Sequence, residues 1–112
     1  MTLVTIEQVR AHCRAEAEDD AILTIYADAA EESAQNFLNR KVYATPEAMA
    51  AAILDGSAGD DPMVVTPVVK AAVLLAAGHL YRNRESVTDA PARDLPQGFH
   101  ELLWPHRRGL GV

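Results

Sequence analysis

The histidines and the single cysteine are few and scattered: His12, Cys13, His79, His100 and His106 in 112 residues. His12 and Cys13 are adjacent, so on a helix they point about 100° apart and share a metal poorly. No two histidines stand at ligand spacing on one helix. His79 lies inside an apolar run and reads as a hydrogen-bonded structural histidine. Asp55-Gly56-Ser57-Ala58-Gly59-Asp60-Asp61 superficially resembles a calcium loop. The twelfth position counted from Asp55 is Thr66, where a bidentate glutamate is required. Gly56 and Gly59 lack the following Gly-Lys-Ser/Thr of a phosphate loop. The acid pairs Asp19–Asp20 and Glu31–Glu32 read as caps and solvated face. No Ser/His/Asp or Cys/His set can be placed. The expectation is a protein that is not an enzyme and takes no metal or cofactor.

Charge is unevenly distributed. Residues 1–40 carry −5, residues 41–66 carry −3 and residues 67–112 carry +2, for a formal net charge of −6. An acidic front offers little to phosphate, so specific nucleic-acid readout by the first two helices is not expected. An acidic wall would instead let a duplex pass without sticking. The single cysteine, Cys13, forms no internal disulfide and reads as a small buried hydrophobe. No basic segment followed by an apolar run opens the chain, so a signal peptide is not expected. No segment reads as a membrane span.

The elements that must position these residues are helical. Thr66-Pro67 starts a helix with a hydroxyl cap and a proline at the first helical position. From Val68 to Tyr81 only Lys70, Gly78 and His79 interrupt the apolar residues. A helix apolar nearly all round must be wrapped by others. The stretch 66–85 is therefore read as the central helix, with Val73, Leu74 and Leu80 in the core. Its alanines and Gly78 keep it slim, so neighbours can approach closely.

Thr5 and Gln8 stand at capping-box spacing, and Val4 can staple onto Val9, so a first helix runs to about Arg14. Ile6, Val9 and Cys13 share its inner face. Asp19 or Asp20 caps a second helix. Its inner stripe is Ile22, Ile25, Tyr26, Ala29, Ser33 and Phe37, at amphipathic spacing. Ile22, Ile25 and Phe37 are its core residues. Asp28, Glu31, Glu32 and Gln35 cover the opposite face and are expected to lie exposed. Lys41 to Tyr43 is extended. Thr45-Pro46 opens a short alanine-rich helix over 46–54, stopped by Gly56. Residues 55–65 form a loop.

Residues 86–94 are polar, contain Pro91 and read as a mobile connector. A short helix bounded by Pro96 and Pro105 follows, then a basic tail. The expected organisation is all-α: a helical bundle domain over 1–85, then connector, short helix and C-terminal docking arm over 86–112. Phe99, Leu102, Leu103 and Trp104 would anchor the arm on a partner, and Arg107 and Arg108 would meet acidic surface. On that reading a chain ending at Asp94 keeps most of its helicity. The competing reading is that the short helix packs back on its own body.

The order of motifs carries a resemblance. Leu3-Val4-Thr5-Ile6-Glu7-Gln8-Val9-Arg10-Ala11-His12-Cys13-Arg14, followed by Asp19-Asp20-Ala21-Ile22-Leu23, is similar to the opening of the phage head-tail connector (adaptor) family typified by HK97 gp6. Val69-Lys70-Ala71-Ala72-Val73-Leu74-Leu75 with Gly78-His79-Leu80-Tyr81-Arg82-Asn83-Arg84-Glu85 resembles that family's central helix. Leu95-Pro96, Leu102-Leu103 and Pro105-His106-Arg107 resemble its closing segment. The resemblance implies a structural bacteriophage protein of the virion neck, made in the host cytoplasm. It implies a closed homo-oligomeric ring of roughly twelve subunits beneath the portal. The implied partners are the portal protein, a stopper or tail-completion protein, and packaged DNA passing through non-specifically, with the acidic face of Asp28, Glu31 and Glu32 at the channel or the outer wall. From the residues alone, a cytosolic dimeric helical regulator or antitoxin-like module remains the alternative.

Overall fold

A computed structural model describes residues 1–83 and 96–108 of the chain. The expected connector over 86–94 lies outside the described residues. Five helices carry the fold: α1 (Ile6–Cys13), α2 (Asp20–Leu38), α3 (Pro46–Asp55), α4 (Pro67–Arg82) and α5 (Gln97–Leu103). Short 3-10 turns cover Ala17–Asp19 and Trp104–His106. Thr5 Oγ1 accepts the Gln8 amide while Gln8 accepts the Thr5 amide, completing the capping box of α1. Thr45 and Thr66 cap α3 and α4 through the hydroxyl alone, accepting the Ala48 and Val69 amides, each ahead of a proline. Gly56 ends α3 with φ 85°, in the left-handed region a side chain would strain.

The segment expected as a plain loop over 55–65 contains a strand. β1 (Val42–Tyr43) pairs in parallel with β2 (Met63–Val64), in register Val42 to Met63. Parallel pairing needs a crossover connection, and α3 supplies it.

α4 is packed by α1, α2 and α5, with α2 its most extensive neighbour. Its buried residues are Val69, Ala72, Val73, Ala76, Ala77 and Gly78. Val68 and Ala71 reach solvent, so the wrapping is open on one side. A Cβ placed on Gly78 would stand 2.9 Å from the His12 ring, which shows how closely α1 crosses α4. Leu74 packs partly buried against the core, and Leu80 is half-buried.

The core face of α2 differs from the expected one. The buried residues are Leu23, Ala27, Ala30, Glu31, Ala34 and Leu38, a stripe one position along from that expected. Ile25 is 61% exposed and leaves the core set; Ile22 is half-buried. The cause is size. Alanines on α2 and α4 permit close helix approach, and larger side chains in the seam would force the helices apart. Phe37 packs at the margin of the core.

α5 belongs to the same body. Phe99 is 1% exposed and Leu103 is fully buried, both in one cluster with Leu23, Leu38, Val69 and Val73. The short helix therefore packs back on its own bundle, and these two side chains are not free anchors of an arm. The acids at 19 and 20 are not side-chain caps either. Asp20 takes two hydrogen bonds from Arg10, at 2.7 and 2.8 Å, tying α1 to α2. Asp19 accepts the Tyr81 hydroxyl at 2.8 Å, tying α4 to the same corner.

Two outcomes are expected. Phe99→Ala should cost about 3–5 kcal/mol in urea denaturation, the range for truncating a buried aromatic. A chain ending at Asp94 should then lose most of its cooperative melt, and a loss below about 1 kcal/mol for Phe99→Ala would remove α5 from the core. The Arg10 hydrogen bonds hold the Asp20 carboxyl below its ordinary 3.8. A depressed folded value means the pair stabilises above the ordinary pKa and fades as pH falls through the depressed one. Asp20→Asn should accordingly lower the melting temperature at neutral pH, with the gap to wild type closing in acid.

Candidate interaction surfaces

The expected acidic face of α2 divides in two. Glu31 is only 6% exposed. Its carboxylate accepts the backbone N–H groups of Thr2, Leu3 and Val4 at 3.0, 2.8 and 3.2 Å. These donors precede α1 and have no helical partner, so the carboxylate satisfies them in place of water. Leu3 and Val4 are thereby set into the core. One turn earlier, Asp28 Oδ1 stands 2.6 Å from the Met1 ammonium. That hydrogen bond raises the amine above its ordinary 8.0, against a smaller opposing effect of burial. Glu32 is exposed and has no partner among the described residues. Glu31 therefore leaves the solvated set and becomes a structural clasp. Its position was readable only from the alanine stripe, since Ala27, Ala30 and Ala34 bracket it on the buried side.

The basic tail closes the other end of α2. Arg107 Nε donates to the Phe37 carbonyl and the Arg108 amide to the Leu38 carbonyl, both at 2.8 Å. Arg40 Nη1 donates to the His106 carbonyl at 3.1 Å, and Arg40 also pairs with Asp61. The last carbonyls of a helix lack intrahelical donors, and the tail supplies them. Arg107 lies over the Phe37 ring at 5.3 Å and the Trp104 ring at 5.6 Å. Phe37 also meets His100, with centroids 4.8 Å apart. Such stacking holds a guanidinium in one plane.

Of the expected docking residues, Phe99 and Leu103 are thus interior, while Leu102, Arg107 and Arg108 are half-buried. Trp104 stays 63% exposed. The other large apolar exposures on the helices include Leu54 at 90% on α3 and Ile25 on α2. An open polar groove of about 580 Å³ is lined by Asp28, Glu32, Asn36, Lys41, Asp60 and Arg108, the last two paired at 3.5 Å.

The histidines and Cys13 do not converge. No three metal-ligating side chains come together among the described residues. His79 faces Asn83 through Nδ1 at 3.4 Å, and its Nε2 is buried with no partner among the described residues. Burial and the Arg82 charge push His12 below its ordinary 6.5. Burial raises the Cys13 thiol, with Arg82 opposing. No described helix is long and apolar enough to cross a membrane.

The bundle with its closing α5 and tail forms one small, mostly helical body. The family described as phage gp6-like head-tail connector protein matches residues 3–107, and the chain belongs to that family. Its role is that of a structural component of a phage head-tail connector. No curated protein and no solved structure gives a significant match.

The two neighbouring glutamates should respond very differently to charge reversal. Glu32→Lys should change stability by less than about 1 kcal/mol, as exposed surface changes do. Glu31→Lys sets an ammonium against three amide donors and should cost about 3–5 kcal/mol. Parallel urea melts decide it: equal effects at the two positions would refute the clasp.

Proposed function

We propose that the protein is the adaptor of a phage neck: a closed homo-oligomeric ring of roughly twelve subunits seated beneath the portal. The ring extends the DNA channel and presents a surface for a stopper or tail-completion protein. The observation that carries this reading is the connector-family match over nearly the whole chain. The structure suits the role. The subunit's N-terminal segment is clasped by Glu31 and its tail is tied across the end of α2, which holds both segments to the bundle. A net charge of −6 suits a wall that DNA passes without being held.

Portal attachment on this reading does not use a free apolar arm, since Phe99 and Leu103 fill the subunit's own core. Trp104, with Leu102, Arg107 and Arg108 at its margin, remains at the surface for contact with another ring component.

Purified protein mixed with portal particles should co-sediment with them and appear in electron micrographs as a ring coaxial with the portal. A stable dimer that ignores the portal at every concentration would overturn the adaptor reading and favour a cytosolic regulatory or antitoxin-like module.

A further inference from the structure

We infer that the Trp104–Arg107 corner is a receptor for a second copy of this chain, and that it grips the Ile25–Glu32 face of the neighbour's α2. The inference rests on the ring reading and assigns its subunit contact.

The corner is built for a carboxylate beside an apolar side chain. Arg107 lies against both the Phe37 and Trp104 rings, which contact each other, and its Nε donates to the Phe37 carbonyl. Its two terminal nitrogens have no partner among the described residues, and no carboxylate pairs with it there. A guanidinium oriented in this way offers a fork that matches a carboxylate. Trp104 supplies a 63% exposed ring next to it. Tryptophan and arginine are the residues that most often dominate protein contacts.

The complementary chemistry lies on the same chain. Ile25, 61% exposed, and Glu32 are seven residues apart on α2 and so share a face, with the exposed Ala29 between them. Among the described residues Glu32 is a carboxylate with no cation beside it and Arg107 a guanidinium with no carboxylate beside it. Neither patch can pair with the same patch of another copy without opposing like charges. Where one patch joins the other and each copy's remaining patch is left for a third copy, the contact is heterologous, the arrangement that generates rings. The patches are well separated for this. From Ile25 to Phe37 is twelve residues of α2, about 18 Å along the axis and about 120° around it. The small, exposed Ala29 leaves room for an indole to lie against Ile25. This assignment moves Glu32 from the channel wall, and Trp104 and Arg107 from the portal contact, to the joint between subunits.

The test is directional cross-linking with a short bis-maleimide under ring-forming conditions, with portal particles present, in a Cys13→Ser background. Ala29→Cys and Pro105→Cys place thiols beside the two patches at exposed positions and leave Ile25, Glu32, Trp104 and Arg107 intact. A chain carrying both cysteines should give a ladder of covalent oligomers. Each single-cysteine chain should stay monomeric on the gel, and a mixture of the two should give dimers. Glu32→Arg should raise the concentration needed for assembly at least tenfold, and adding Arg107→Glu should restore part of the loss. Rings that form without a ladder, or single-cysteine chains that dimerise alone, would overturn the inference while leaving the adaptor reading intact. So would a Trp104→Ala chain that assembles normally but no longer binds portal. Wild-type protein that neither assembles nor binds portal would remove both.

Discussion

The close approach of α2 and α4 is the constraint on which the rest of the subunit depends. Ala27, Ala30 and Ala34 on one helix and Ala72, Ala76 and Ala77 on the other are all buried. A seam of such small side chains removes little apolar area per residue, so it contributes less hydrophobic stabilisation than leucines would. Larger groups at its margins make up the difference. Leu23, Leu38, Val73, Phe99 and Leu103 fill the space around the seam. This is why α5, only seven residues long, is integral to the body. Too short to persist alone, it is held by tertiary packing and in turn completes the core.

The ends of α2 show a second economy of design. A helix leaves amides unsatisfied at one end and carbonyls at the other. At the amino end, Arg10 and Tyr81 reach across to Asp20 and Asp19 and lock the corner where α1, α2 and α4 meet. At the carboxyl end, the tail donates to the last carbonyls through Arg107 and Arg108. Midway, Glu31 gathers the amides of the N-terminal segment. One helix thus organises both terminal segments of the described chain. Its outward side chains, Ile25, Ala29 and Glu32 among them, stay exposed.

Much of this was legible in the sequence. The helix starts at Thr5, Thr45 and Thr66 follow from short-range chemistry, a hydroxyl three residues before an amide and a proline where no amide is needed. The stop at Gly56 follows from a left-handed backbone. The inner face of α1, with Val9 buried and Ile6 and Cys13 packed against the core, follows from spacing alone. The central position of α4 follows from an apolar run too complete for a surface helix. The family, too, was carried by the order of motifs along the chain.

Tertiary structure alone decided the rest. Two stripes of equal spacing run along α2, and hydrophobicity favours the one with Ile22, Ile25 and Phe37. Steric fit against the alanines of α4 selected the other, because close packing rewards complementary size and not only apolar character. The fate of Glu31 followed from that one-residue rotation, which carried a carboxylate to the buried side, where only the amides of residues 2–4 make it tolerable. The parallel pairing of β1 and β2 joins residues 21 apart, and no local signal encodes a pairing at that range. Whether α5 reached outward or folded home was equally undetermined by its composition. Large apolar side chains suit a partner's surface and a subunit's own core alike, and packing of Phe99 and Leu103 against the bundle chose between them.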